Sequence, residues 1–334
     1  MPRRVVLFTV ALCSVMPHAA SAQDIEFFGR HYGTRPPDGY FDALRSDRGL
    51  FRLNRGLATR PAPRDAESEE ALAGLGPRSG PLLGDMELPL ILGLPSDATA
   101  SAFGPSDIDA ALWDDRSGTV RHYFEEVSGG AFRLTGESTD WVRSSLSAMQ
   151  ITGGASAIDP ATTRIGAFIH EVLNGQPARD WGRFDNDGPD GLPNSGDDDG
   201  YVDAVVLVHS ERGAECGSRG EVRGEPATGS RIWSHFWNLS DEGEGVFDTG
   251  QPAAAGGNLK IDDYIVVGSK GCYRPGEIME IGVTAHELGH VFGLPDLYDT
   301  CDDDFLCPGD FARTSGVGLW GLMGFGVWGC DGSS

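Results

Sequence analysis

Between Met86 and Leu94 the apolar residues Leu88, Leu90, Ile91, Leu92 and Leu94 crowd together, bounded by Pro and Gly, as in a short buried strand. From Ser117 the rhythm changes. Val120, Tyr123, Phe124 and Val127 fall at i, i+3, i+4 and i+7, which predicts one apolar face of a helix, and Gly129-Gly130 ends it. Phe132 and Leu134 then alternate with polar residues as a strand does. The Asp159-Pro160 pair is a start signal for a second helix that carries Ile165, Phe168, Ile169 and Val172 to a stop at Asn174-Gly175. Val202 to Val208 and Tyr264 to Val267 read as two more buried strands. Helices and strands thus alternate without an internal repeat, and residues 86–334 are expected to form a single α/β (α+β) domain on a mixed sheet.

The N-terminus obeys a different rule. Arg3 and Arg4 precede the apolar run from Val5 to Val15, and small residues lead to Ala20-Ser21-Ala22. Charge, apolar stretch and an A-x-A site in that order predict a secretory signal peptide over residues 1–22, cut after Ala22. Lipid attachment at Cys13 is the weaker alternative, because Leu12 stands where a small residue is expected. No later segment approaches the roughly 18 consecutive apolar residues of a membrane span, so a secreted, extracellular product is expected. Residues 23–85 are rich in Arg, Asp, Gly and Pro and read as an accessory segment ending in a linker.

Composition narrows the partners. The formal net charge of −24 argues against nucleic acid and anionic membranes, leaving a monomer that meets protein or peptide substrates as the expectation. After removal of the leader five cysteines remain: Cys216, Cys272, Cys301, Cys307 and Cys330. In an oxidising compartment they should pair. Cys301 with Cys307 closes a short loop, and Cys216 with Cys272 then leaves Cys330 for a partner beyond Ser334.

The chemistry concentrates between Gly282 and Asp296, where His286-Glu287-Leu288-Gly289-His290 carries the H-E-x-x-H spacing. On a helix, residues four apart are separated by about 6 Å of rise and about 40° of rotation, so both imidazoles project from one face. They can grip one zinc ion, each at about 2.0–2.1 Å. Glu287 beside the first ligand is the expected general base. Gly293 ends the helix and turns the chain so that Asp296 can return as third ligand, with Asp299 the competing candidate. His170-Glu171 offers an internal control, since Asn174 occupies the position where a second histidine would be needed. Farther on, Met323 lies in a glycine- and aromatic-rich turn, where its thioether can floor a metal site without binding the ion.

A second cluster, Asp185-Asn186-Asp187-Gly188-Pro189-Asp190 leading to Asp197-Asp198-Asp199-Gly200-Tyr201-Val202-Asp203, alternates carboxylates with glycine. A hard cation such as calcium takes about 6–8 oxygen ligands. Asp185, Asp187, Asp199 and Asp203 are the expected donors, tying down the loop before the Val202 strand.

These motifs together resemble the immune inhibitor A-like secreted metallopeptidases of the metzincin clan. The resemblance rests on Tyr123 to Ser128 with Gly130, Asp199 to Asp203, Ile232 to His235, His286 to Asp299 and Gly318 to Trp328. It implies a metzincin-like catalytic domain over 86–334 that continues beyond Ser334, with His286 and His290 as zinc ligands, Glu287 as catalytic acid/base and Met323 in a Met-turn. Asp296 stands where the clan commonly has a third histidine. The stretch Gly29 to Leu57 looks like the propeptide of such enzymes, which implies a zymogen. The expected activity is zinc-dependent hydrolysis of peptide bonds. A different class stays open, an exported, calcium-stabilised binding module with a non-catalytic zinc site, and the pairing of two histidines and an acid with a well-placed Glu287 favours catalysis.

Overall fold

A computed structural model of the chain describes residues 82–297, except 83, 100, 187–191, 217–227, 273 and 275, together with residues 317–328. The elements in chain order are β1 (Gly84–Leu94), α1 (Pro105–Trp113), α2 (Val120–Val127), β2 (Phe132–Ser138), β3 (Val142–Arg143), α3 (Ala148–Thr152) and α4 (Ile165–Asn174). They continue with β4 (Val205–Arg212), β5 (His235–Asn238), β6 (Phe247–Pro252), β7 (Asn258–Ile261), β8 (Asp263–Lys270) and α5 (Ile281–Val291).

One sheet organises them, in the order β2-β1-β4-β8-β5, with β3 continuing the β2 edge of β1. Every pairing in it is parallel except that of β5 with β8, which is antiparallel. The sheet is therefore mixed, as expected. A strand between parallel neighbours is covered on both faces, which is why β1 reads as an unbroken apolar run rather than an alternating one. Alternation survives in three dimensions. Leu88, Leu90 and Leu92 of β1, Val206 and Val208 of β4, and Ile265 and Val267 of β8 join one core with α1, α2 and α5. Ile91, Val205, Leu207, Tyr264 and Val266 point the other way, into a second core with Ile165, Phe168, Ile169 and Val172 of α4. Gly93 allows α4 to lie close, because a Cβ there would meet the Phe168 ring at 2.6 Å.

Several local expectations need correction. The first predicted helix starts at Val120 rather than near Ser117, because Thr119 caps it by accepting the His122 amide hydrogen at 3.1 Å. Gly129 and Gly130, both at positive φ, end it, but Val127 is 62% exposed and lies off the apolar face. The second helix begins at Ile165, not at Asp159-Pro160. Asp159 instead folds its carboxylate back on Ala161 and Thr162 as a turn. Val202 precedes its strand, its amide bonding to Lys260. Cys216 and Cys272 form a disulfide. Cys301, Cys307 and Cys330 lie outside the described residues, as do the leader and residues 23–81. No helix among the described residues is long and apolar enough to cross a membrane.

Candidate metal centre

α5 is buried almost all round, because it packs against β8 and β5 on one side and the 317–328 segment on the other. Its buried residues include His286, Glu287 and His290, so three polar side chains are held where only structural partners can justify them. The helix ends with paired bonds from Leu294 N to Gly289 O and from Gly293 N to His290 O, with Gly293 at φ +86°. This is a Schellman end, and it reverses the chain at once. Asp296 thereby returns to the helix.

Each imidazole is anchored by its Nδ1. That of His286 donates to the Leu322 carbonyl and that of His290 to the Leu294 carbonyl, both at 2.9 Å. The protons are thus placed on Nδ1, and each Nε2 presents its lone pair inward. Asp296 Oδ1 lies 3.2 Å from His286 Nε2 and 3.6 Å from His290 Nε2. The two rings stand nearly perpendicular at 89°, with centroids 4.9 Å apart. One donor atom from each of these three residues falls within 4.8 Å of the others. Two inward-facing imidazole nitrogens and a carboxylate oxygen form the donor set that suits zinc, and lone pairs aimed at one point need a positive charge between them. The residues fit the metal.

Charge in the pocket follows the same logic. Burial opposes a proton on His286, but the Asp296 hydrogen bond and the negative charges of Glu287 and Asp296 outweigh it and raise its pKa to about 9, so without a cation a proton on Nε2 faces Asp296 in the place a metal would take. Burial holds His290 below its ordinary value, against the pull of Asp296. Burial also pushes Glu287 up to about 8, opposed by His286, and reinforced by Asp296 and Glu215. The Phe236 backbone N–H faces the Glu287 carboxylate and favours its charged form. The Phe236 ring lies 6.3 Å from that of His290, tilted by 32°.

Met323 is buried, and a Cβ added to Gly289 would collide with its sulfur. Leu297 N donates to Met323 O at 2.7 Å, which ties this segment to the loop that carries Asp296. Asp299 lies outside the described residues. The residues that sequence reasoning missed are Phe236 and the Leu294 and Leu322 carbonyls. Gly289 was the available signal, since a glycine inside a helix costs about 1 kcal/mol relative to alanine and marks a close approach.

The remaining candidates separate cleanly. Asp185, Asp199 and Asp203 form no metal-holding group by themselves among the described residues, and Asp187, the fourth expected donor, lies outside them. Among the described residues the only such group is the one on α5. His170 bonds to the Gly245 carbonyl at 2.8 Å, and Glu171 accepts from Ser144 and Ser145. Both are structural.

Residues 103–334 match the immune inhibitor A peptidase M6 catalytic domain. The chain belongs to that family. It is 28% identical over 220 residues to immune inhibitor A of Bacillus thuringiensis subsp. alesti, covering 63% of this chain and 28% of that protein. It is 29% identical over 244 residues to the pre-pro-metalloprotease PrtV of Vibrio cholerae, covering 68% of this chain and 24% of that protein. The chain thus spans about a quarter of the length of these curated relatives. Within the M6 match lie β2, the edge strand β5, α5 and Met323.

Proposed function

We propose that this chain is an exported zinc metalloendopeptidase in which His286, His290 and Asp296 hold the metal and Glu287 is the general base. The observation that carries the reading is the convergence of those three donor atoms beside a buried glutamate. The M6 membership and the metalloprotease name of the PrtV relative support it. Zinc held there supplies Lewis acidity, polarising a peptide carbonyl and bringing the pKa of a water down to about 7. Glu287 takes the proton of the attacking water and passes it to the leaving amine. The Nδ1 bonds of the two histidines keep both Nε2 atoms inward throughout.

Met323 serves as the floor of the site, in the role of a Met-turn. Residues 1–22 act as signal peptide, 23–85 as propeptide and linker, and 86–334 as the catalytic domain. Its substrates are proteins or peptides. A serine mechanism has less support: Ser234 Oγ donates to Glu215 and Ser128 Oγ bonds to backbone carbonyls, with no imidazole bonded to either. The deciding experiment measures zinc content and cleavage of an unfolded protein, with and without chelator. Zinc-loaded, folded protein that cleaves nothing after processing would reject the peptidase reading.

A further inference from the structure

Behind α5 two carboxylates bond to backbone, and each sits next to one half of the disulfide. Glu215 accepts from Ser234 N at 3.0 Å and from Ser234 Oγ at 2.6 Å, and it directly precedes Cys216. Glu280 accepts from Cys272 N at 2.8 Å, and it is the residue that opens α5. The Cys216–Cys272 bond joins the two halves. A continuous path therefore runs from Ser234, the residue before β5, to the first turn of α5.

Those two ends matter because β5 and α5 carry opposite sides of one contact. β5 presents Phe236, whose backbone N–H faces Glu287 and favours its charged form, and whose ring lies beside His290. The disulfide sulfurs also pack in a small apolar cluster with Val283 and Val327. Val283 sits one helical turn before Glu287, on the same side of the helix. Glu215, Ser234, Glu280 and Val283 border a common cavity together with both cysteines. The cavity lies between the end of β8 and the first turn of α5, beside the residue that leads into β5, so side-chain packing alone does not fix the start of the helix at that corner.

We propose that the Cys216–Cys272 disulfide, gripped at its ends by Glu215 and Glu280, is a positioning brace that sets the distance between β5 and α5 and so aims Glu287. The aiming of Glu287 rests on the peptidase reading above. The brace acts through other groups and touches no reacting atom. A misplacement of about 1 Å at a general base costs on the order of 100-fold in rate, so even a small relaxation into the cavity should be visible.

The test compares the full chain, processed identically in every case, with Cys216→Ala/Cys272→Ala, Glu280→Ala and Glu280→Gln. Glutamine keeps an acceptor for the Cys272 N–H and alanine does not. The double variant should lose about tenfold or more in kcat while KM stays within about threefold, the pattern of a lost transition-state interaction. Zinc should remain at parent stoichiometry, and amide exchange of β5 and α5 should quicken. Glu280→Gln should track the parent, and Glu280→Ala should track the double variant. A folded double variant with parent kcat and parent exchange overturns the brace. So does a fall in kcat matched by loss of zinc, which would make the disulfide a support for the ligands instead. If the double variant does not fold, the Glu280 pair decides, and equal losses in alanine and glutamine overturn the proposal. If the parent binds zinc yet cleaves nothing, the peptidase reading fails, and unchanged exchange in β5 and α5 still overturns the brace by itself.

Discussion

An imidazole can offer a metal only the nitrogen that its proton leaves bare, and here two backbone carbonyls decide which one that is. Removing the base while leaving the ligands intact separates binding from chemistry. Glu287→Gln should hold zinc at parent stoichiometry and lose activity by roughly 100- to 10,000-fold, the range of general acid–base catalysis. Parent-like turnover in that variant would remove Glu287 from the role. Asp296→Ala should weaken zinc retention far more than Asp299→Ala, since Asp296 Oδ1 already lies within 3.6 Å of both Nε2 atoms. Competition with a chromogenic chelator reads the order, and the reverse order would transfer the ligand role. His286, Glu287 and His290 were legible in the sequence because helical spacing is a local rule. Phe236 was not, since nothing in its neighbourhood hints that a short edge strand passes over the helix. The carbonyls of Leu294 and Leu322 could not be seen at all, because every residue has one and only the chain path distinguishes them.

Elements reveal a similar division. β1, β4, β8 and the two helices α2 and α4 could be anticipated from runs and periodicity, with errors at their ends. Those ends shifted because side chains competed for the first amides: Thr119 won over Ser117, and Asp159 made a turn of its own. α1 was missed, although Pro105 at its start and Ile108, Ala111 and Leu112 on its buried face carry a helical signal. β5 and the β6–β7 hairpin are four to six residues long, too short for a pattern to stand out. Thr119→Ala should destabilise the domain by about 1 kcal/mol, the usual cost of a lost cap, without changing zinc affinity. A denaturant titration checks the first half and chelator competition the second. Gly289→Ala is a harsher test of the α5 surroundings. Its methyl must displace Met323, so a loss of about 1–3 kcal/mol from overpacking is expected, with weakened zinc retention. A neutral result would mean that the 317–328 segment yields freely.

At the scale of the molecule, the mixed sheet was legible because alternating helices and strands allow few arrangements. The acidic cluster stays an expectation, because Asp187 and Asp190 of its loop lie outside the described residues. Burial also makes the whole fold acid-sensitive. His209 is held down to about 3 by burial and by nearby Lys270, His235 and Arg231, and His235 to about 4 by burial. Unfolded, each takes a proton near 6.5, so their contribution is intact above that pH and is lost as pH falls toward the folded values. By pH 5 each should have cost about 2 kcal/mol of stability. Urea midpoints between pH 7.5 and 5 should fall accordingly, and His209→Gln should flatten that slope. The segment from residue 23 to the linker leads to a last expectation, that unprocessed chain is inactive and cleavage between about Arg60 and Gly84 activates it. Equal activity before and after limited proteolysis would discard latency. Chain order adds a matter of timing. All strands of the main sheet are finished by Lys270, whereas every group at the metal centre outside β5 lies between His286 and Met323. As a chain made from its N-terminus folds, the wall is built before the hinge and latch exist. On the proposed reading the ion is then a late arrival, and a chain interrupted between Lys270 and His286 would have every strand of the main sheet and none of the three metal donors.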